Sequence, residues 1–158
     1  MISRRWILVL CFVAVACVRS YTPRSNTRAD LQRYVERAAA VVREKGAASC
    51  ETFSQQAWMG GDYYIFVNEL DTNLMVCHAM RPELIGQSQA NLQDANGKFI
   101  ARDMQTAVSA PSGSGWVEYV WPRPGQTNAI AKSSYVMSVT GPDGKRYIVG
   151  SGGYEMPR

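Results

Sequence analysis

Few residues of this chain are equipped to make or break bonds. His78 is its one histidine, and it directly follows Cys77. Neighbours on a strand point to opposite faces, so that pair cannot act as nucleophile and base. Gly113-Ser114-Gly115 lacks the flanking pattern of a nucleophile elbow. Asp94, Asp103 and Glu118 are carboxylates without an acid–base signature around them. There is no phosphate loop and no dinucleotide fingerprint. These absences argue against an enzyme and against a bound cofactor. What stands out instead is aromatic. Trp116, Tyr119 and Trp121 lie in Gly115-Trp116-Val117-Glu118-Tyr119-Val120-Trp121-Pro122. On a strand, Val117, Tyr119 and Trp121 share one face, and Trp116, Glu118 and Val120 the other. One set can pack as core while the other walls a pocket, since Tyr and Trp join a large apolar body to a polar tip.

The elements around these residues come from period and punctuation. The chain has 158 residues, 46% hydrophobic and 19% charged, which suits one globular domain. Arg4-Arg5 followed by an apolar run to Ala14-Val15-Ala16 reads as a secretory signal peptide over residues 1–16. Residues 17–25 read as a linker and 26–158 as the domain. Ala14-Val15-Ala16-Cys17 also resembles a lipobox, which would make Cys17 a lipidation site. The expected location is periplasmic or secreted, with a lipid anchor at Cys17 as a further option. The formal charge is +4, and losing Arg4 and Arg5 leaves 15 basic residues against 13 acidic. That surplus is no footprint for nucleic acid. Cys50 and Cys77 remain in an oxidising compartment, where a disulfide competes with two buried thiols and with a metal site shared with His78.

Thr27 to Asp30 resembles a capping box with Asp in place of the usual Glu, and Leu31, Tyr34, Val35, Ala38, Val41 and Val42 recur at helical spacing up to Gly46. A short second helix is predicted over about 49–56. Strands are predicted over 63–69 and 74–78 as a hairpin, then over 116–121, 132–140 and 146–151. A further helix follows Lys98. The strands are apolar on both parities, so both sheet faces are covered. The expectation is an α+β fold: a five-stranded antiparallel sheet, a long N-terminal helix on one face and helix and loop cover on the other.

Six segments, in order, resemble the Cache domain family in its single-domain form. They are Gly61-Asp62-Tyr63-Tyr64-Ile65-Phe66-Val67, His78 with Pro82 and Leu84-Ile85-Gly86, Leu92-Gln93-Asp94-Ala95-Asn96-Gly97-Lys98, Gly115 to Pro122, Lys132-Ser133-Ser134-Tyr135-Val136, and Tyr147-Ile148-Val149-Gly150-Ser151-Gly152-Gly153-Tyr154. Here Ala79-Met80-Arg81 separate His78 from Pro82, where the family keeps His and Pro closer. The resemblance implies a PAS-like extracytoplasmic fold that binds a small organic anion such as a short carboxylate. It marks Tyr64, His78, Tyr119, Trp121, Lys132, Tyr135 and Tyr154 as ligand-binding candidates. Lys132 would supply the charge a desolvated carboxylate needs, with Arg81 and Arg102 as rivals. Lys132 and Tyr135 are three apart, so a regular strand sends them to opposite faces. The sequence ends soon after Tyr154, so a stand-alone form is expected, signalling through a membrane sensor protein. A homodimer through the N-terminal helix fits as well. The competing reading is an envelope interaction protein with no ligand.

Overall fold

The structure, a computed structural model, describes residues 20–157. The expected leader and Cys17 lie outside them. Helix α1 spans Arg28–Lys45. The Thr27 hydroxyl caps it by accepting the Asp30 N–H at 3.3 Å, and Gly46 ends it at φ 56°. Leu31, Tyr34, Val35, Ala38 and Val42 are buried against the chain's own sheet. The outward face carries Arg33, Glu36, Arg37, Arg43 and Glu44. A homodimer through α1 therefore has no free apolar stripe to use. The short helix α2 covers Ser49–Phe53.

Five strands follow: β1 (Phe66–Glu69), β2 (Met75–His78), β3 (Ser114–Pro122), β4 (Ala129–Thr140) and β5 (Arg146–Tyr154). They form one antiparallel sheet in the order β2-β1-β5-β4-β3. The last strand thus closes the middle of the sheet. Helix α3 (Ile100–Val108) and the loops around it cover the face opposite α1. Asp94 fixes that cover. One carboxylate oxygen accepts the Asn96 and Lys98 N–H groups at 2.9 and 3.0 Å, and the other accepts Val120 N–H of β3 at 3.0 Å. Burial alone would raise the Asp94 pKa, but these three donors hold it below its ordinary value.

Among the boundaries that differ from the sequence reading, two shape the site. The first strand starts at Phe66, not Tyr63, because Gly60 and Tyr63 close a tight turn through Gly61 at φ 57°. Tyr64 is therefore outside the ladder. The last strand runs on to Tyr154 through Gly152-Gly153. Glycine disfavours a strand interior, yet here it is required. A Cβ on Gly152 would stand 2.4 Å from Lys132 Cε, and one on Gly150 would stand 2.5 Å from the Phe66 ring.

Cys50 and Cys77 are joined in a disulfide with Cα atoms 5.1 Å apart, tying α2 to β2. Cys77 faces the α1 side of the sheet. That sends its neighbour His78 to the other face.

Candidate ligand-binding site

Strand pleating gathers the site. Lys132 on β4 pairs across the ladder with Tyr119 of β3 on one side and Tyr154 of β5 on the other. Side chains directly opposite share a face, so the lysine stands between two tyrosines. Tyr64 closes the group from the turn before β1. The Lys132 ammonium donates to the Tyr64 hydroxyl at 2.7 Å. It lies 4.4, 5.0 and 6.0 Å from the ring centroids of Tyr64, Tyr154 and Tyr119, within cation–π reach. The Tyr119 hydroxyl shares a 2.9 Å hydrogen bond with buried Ser134, and Tyr154 donates to the Pro122 carbonyl at 2.6 Å.

Lys132 is 1% exposed, and no carboxylate pairs with it among the described residues. Burial pulls its pKa down to about 7, against a small opposing pull from Asp62. His78 is held neutral by burial first, then by the Lys132 and Arg81 charges, with its pKa near 3. Its Nδ1 accepts the Arg81 N–H at 3.0 Å. The proton of the neutral ring is then on Nε2. Burial pushes the Tyr64 phenol well above its usual range and Tyr154 to about 12. Around neutral pH the group therefore offers hydroxyl and imidazole donors beside one amine whose charge is in balance.

Tyr64, His78, Tyr119 and Trp121 form one end of a cavity of about 40 Å³ between the sheet and the α3 cover. Phe66, Met75, Ile100 and Met104 make its apolar wall, and Asn68 and Gln89 also line it. At 10–15 Å³ for each water-sized sphere, that is room for about three. An open groove of about 380 Å³ adjoins it, bordered by Arg81 and Arg123 and sharing Tyr64, His78 and Trp121 with the cavity. Arg123 pairs with Asp62 and, at 2.8 Å, with Glu155, and lies 5.1 Å from the Tyr154 ring.

Six of the seven candidates thus converge: Tyr64, His78, Tyr119, Trp121, Lys132 and Tyr154. Tyr135 does not join them. No bulge breaks β4 between it and Lys132, so it faces α1, with its hydroxyl 2.9 Å from Ser114 and its ring 5.2 Å from Trp116. Of the rival cations, Arg81 sits at the groove, paired with Glu83 at 2.8 Å. Arg102 is exposed over Phe99 and away from the site. Sequence reasoning missed Asn68, Gln89, Asp62 and Arg123. Asn68 had a signal: it is a polar residue at the same parity as Phe66 in a buried strand. Arg123 and Asp62 sit in turns, where nothing marks a charge as inward.

A five-stranded antiparallel sheet with a small cavity under a helix and loop cover is the architecture of PAS-like sensory domains. Residues 34–155 match the family described as the Cache domain, and the chain belongs to that family. It is 29% identical to the methyl-accepting chemotaxis protein McpP of Pseudomonas putida, over 97% of this chain and 31% of that protein. The chain therefore spans about a third of the length of this curated relative. A solved periplasmic sensor domain of a chemotaxis protein is 33% identical, with TM-score 0.69, covering 80% of this chain and 94% of that one. A Cache chemosensory domain solved for the structural basis of carboxylic acid recognition is 25% identical, with TM-score 0.65, covering 80% and 92%. These relatives are sensors rather than enzymes. No helix among the described residues is long and apolar enough to cross a membrane.

Proposed function

We propose that this chain is an extracytoplasmic sensor module that binds a short carboxylate beside Lys132 and passes its occupancy to a membrane signalling partner. One observation carries the reading. Lys132 is a buried amine with no carboxylate partner among the described residues, set among three tyrosines, two of which, Tyr64 and Tyr119, line a small cavity. Burying an ammonium without a counter-charge is costly. An anion in the cavity would remove that cost, and the Tyr64 hydroxyl and His78 Nε2–H would complete its hydrogen bonds. The cavity's size suits a ligand of a few heavy atoms. The carboxylic acid recognised by the 25% identical relative supports the same class.

A thermal-shift screen of short carboxylates, amino acids and amines tests it. A carboxylate at a hundred times its Kd should add about 2.7 kcal/mol. Lys132→Met should abolish that shift, and Tyr135→Phe, on the other face, should keep it. A panel without any shift would sink the binding reading and favour an envelope interaction protein.

A further inference from the structure

One guanidinium gathers the chain segments that carry the Lys132 tyrosines. Tyr64 precedes β1, so no ladder bond fixes it, and its place depends on the tight Gly60–Tyr63 turn just before it. Asp62 is the carboxylate of that turn, and it pairs with Arg123, the residue after β3. The second terminal nitrogen of Arg123 donates to Glu155 at 2.8 Å, and its guanidinium lies 5.1 Å from the Tyr154 ring. The neighbouring Pro122 carbonyl accepts the Tyr154 hydroxyl at 2.6 Å. The turn before β1, the end of β3 and the end of β5 therefore meet at one side chain. Tyr64 and Tyr154 are two of the three rings around the Lys132 ammonium.

This is not a solvated surface bridge. The Arg123 and Asp62 side chains are 27% and 31% exposed, against 57% and 56% for Arg146 and Asp71 at the far end of β5. Exposed pairs contribute little, whereas a planar fork that grips two carboxylates and lies against a ring also fixes geometry. Without Arg123, Asp62 and Glu155 would be left as like charges on two segments that must stay together. We propose that Arg123 is a positioning residue of the ligand site: by tying the Gly60–Tyr63 turn to the end of β5, it keeps Tyr64 and Tyr154 closed around the Lys132 ammonium. The proposal rests on Lys132 as the anion's partner only for what the positioned group binds. Asn26 ties the same corner by neutral bonds, donating to the Tyr154 carbonyl at 3.0 Å and accepting the Tyr63 hydroxyl at 3.1 Å, so the fold should survive the loss of Arg123.

The test reads Lys132 in the empty protein, by pH titration of its side-chain NMR signal, assigned through its loss in Lys132→Met. Tyr64, Tyr119 and Tyr154 face this amine, and it interacts electrostatically with His78 and Asp62. The wild-type midpoint is expected at about 7. In Arg123→Ala water should reach the amine and raise the midpoint by about one unit or more. Arg123→Lys keeps the charge without the fork, so its midpoint should lie between the two. Arg146→Ala removes a charge far from the site and should leave the midpoint in place. A midpoint unmoved in Arg123→Ala, restored in full by lysine, or raised equally by Arg146→Ala overturns the positioning role. A wild-type midpoint at the ordinary lysine value overturns it too. Should Arg123→Ala not fold, the lysine variant decides by the same criterion. Calorimetry with acetate, propionate and butyrate judges the carboxylate reading separately: no binding to the wild type sinks that reading, while the titration still decides the role of Arg123. Where one of them binds, displacing the Tyr64 hydroxyl in Arg123→Ala should weaken it about tenfold.

Discussion

Binding of an anion should draw a proton from solution above neutral pH. In the empty protein Lys132 has its pKa pulled to about 7 by burial. A carboxylate placed beside it favours the charged form and raises that pKa again. At pH 8, one unit above the empty value, about nine in ten empty molecules hold a neutral lysine. Each ligand bound there should take up about 0.9 proton. Affinity should be flat below pH 7 and fall about tenfold per unit above it. The other buried groups stay silent in this window. His78 is neutral with its pKa near 3, and Tyr154 titrates at about 12. Calorimetry at pH 8 in phosphate and in Tris gives the proton count, because the two buffers differ in ionisation heat. Equal heats in both buffers, with a constant Kd from pH 6 to 8.5, would refute the assignment of Lys132 as the anion's partner.

The same lysine sets a trade between stability and binding. Below pH 7 the folded and unfolded chains both carry the proton, and the folded one bears the burial penalty. From about 7 to the unfolded value of 10.5, the unfolded chain binds more protons, so the empty protein should gain stability as pH rises. Lys132→Met should flatten that rise and raise the empty protein's Tm at pH 7, while losing the ligand shift. Gly152→Ala places a Cβ 2.4 Å from both Lys132 Cε and Ser134 Oγ. It should cost about 1–3 kcal/mol in urea unfolding and remove ligand binding; a fully active variant would show that Lys132 does not need that space. Reducing Cys50–Cys77, which closes a loop 27 residues apart in sequence, should cost about 3.5 kcal/mol by the chain-entropy estimate. An unchanged urea midpoint in reductant would contradict it. Asp94→Ala frees three backbone N–H groups and should cost about 2 kcal/mol or more, with faster hydrogen exchange over residues 92–99. Exchange unchanged there would mean the cover is held by other contacts.

Several features were legible without coordinates because they are local. A helical stripe from Leu31 to Val42, a cap at Thr27 and a stop at Gly46 need only neighbouring residues to be read. Alternation placed Val117, Tyr119 and Trp121 on one face, and it warned that Lys132 and Tyr135 part company. The covered sheet followed from strands apolar on both parities, and the family resemblance followed from six motifs in order.

Other features depended on residues distant in the chain. That β5 lies between β1 and β4 is a matter of strand pairing, and this is what sets Lys132 between Tyr119 and Tyr154. Why β5 carries Gly150 and Gly152 is seen only in the packed structure, where Phe66 and Lys132 occupy the space a side chain would fill. Tyr64 enters the site because the chain turns at Gly60–Tyr63 before the ladder begins. The depressed pKa of Lys132 comes from its removal from water, a sum over surroundings that no motif records. The sequence by itself determined the elements, their faces and the residue types available for binding, because those depend on periodicity and side-chain chemistry. Only the tertiary structure decided which of them meet, and that an amine, an imidazole and three tyrosines cluster together, because burial and proximity are properties of the packed whole.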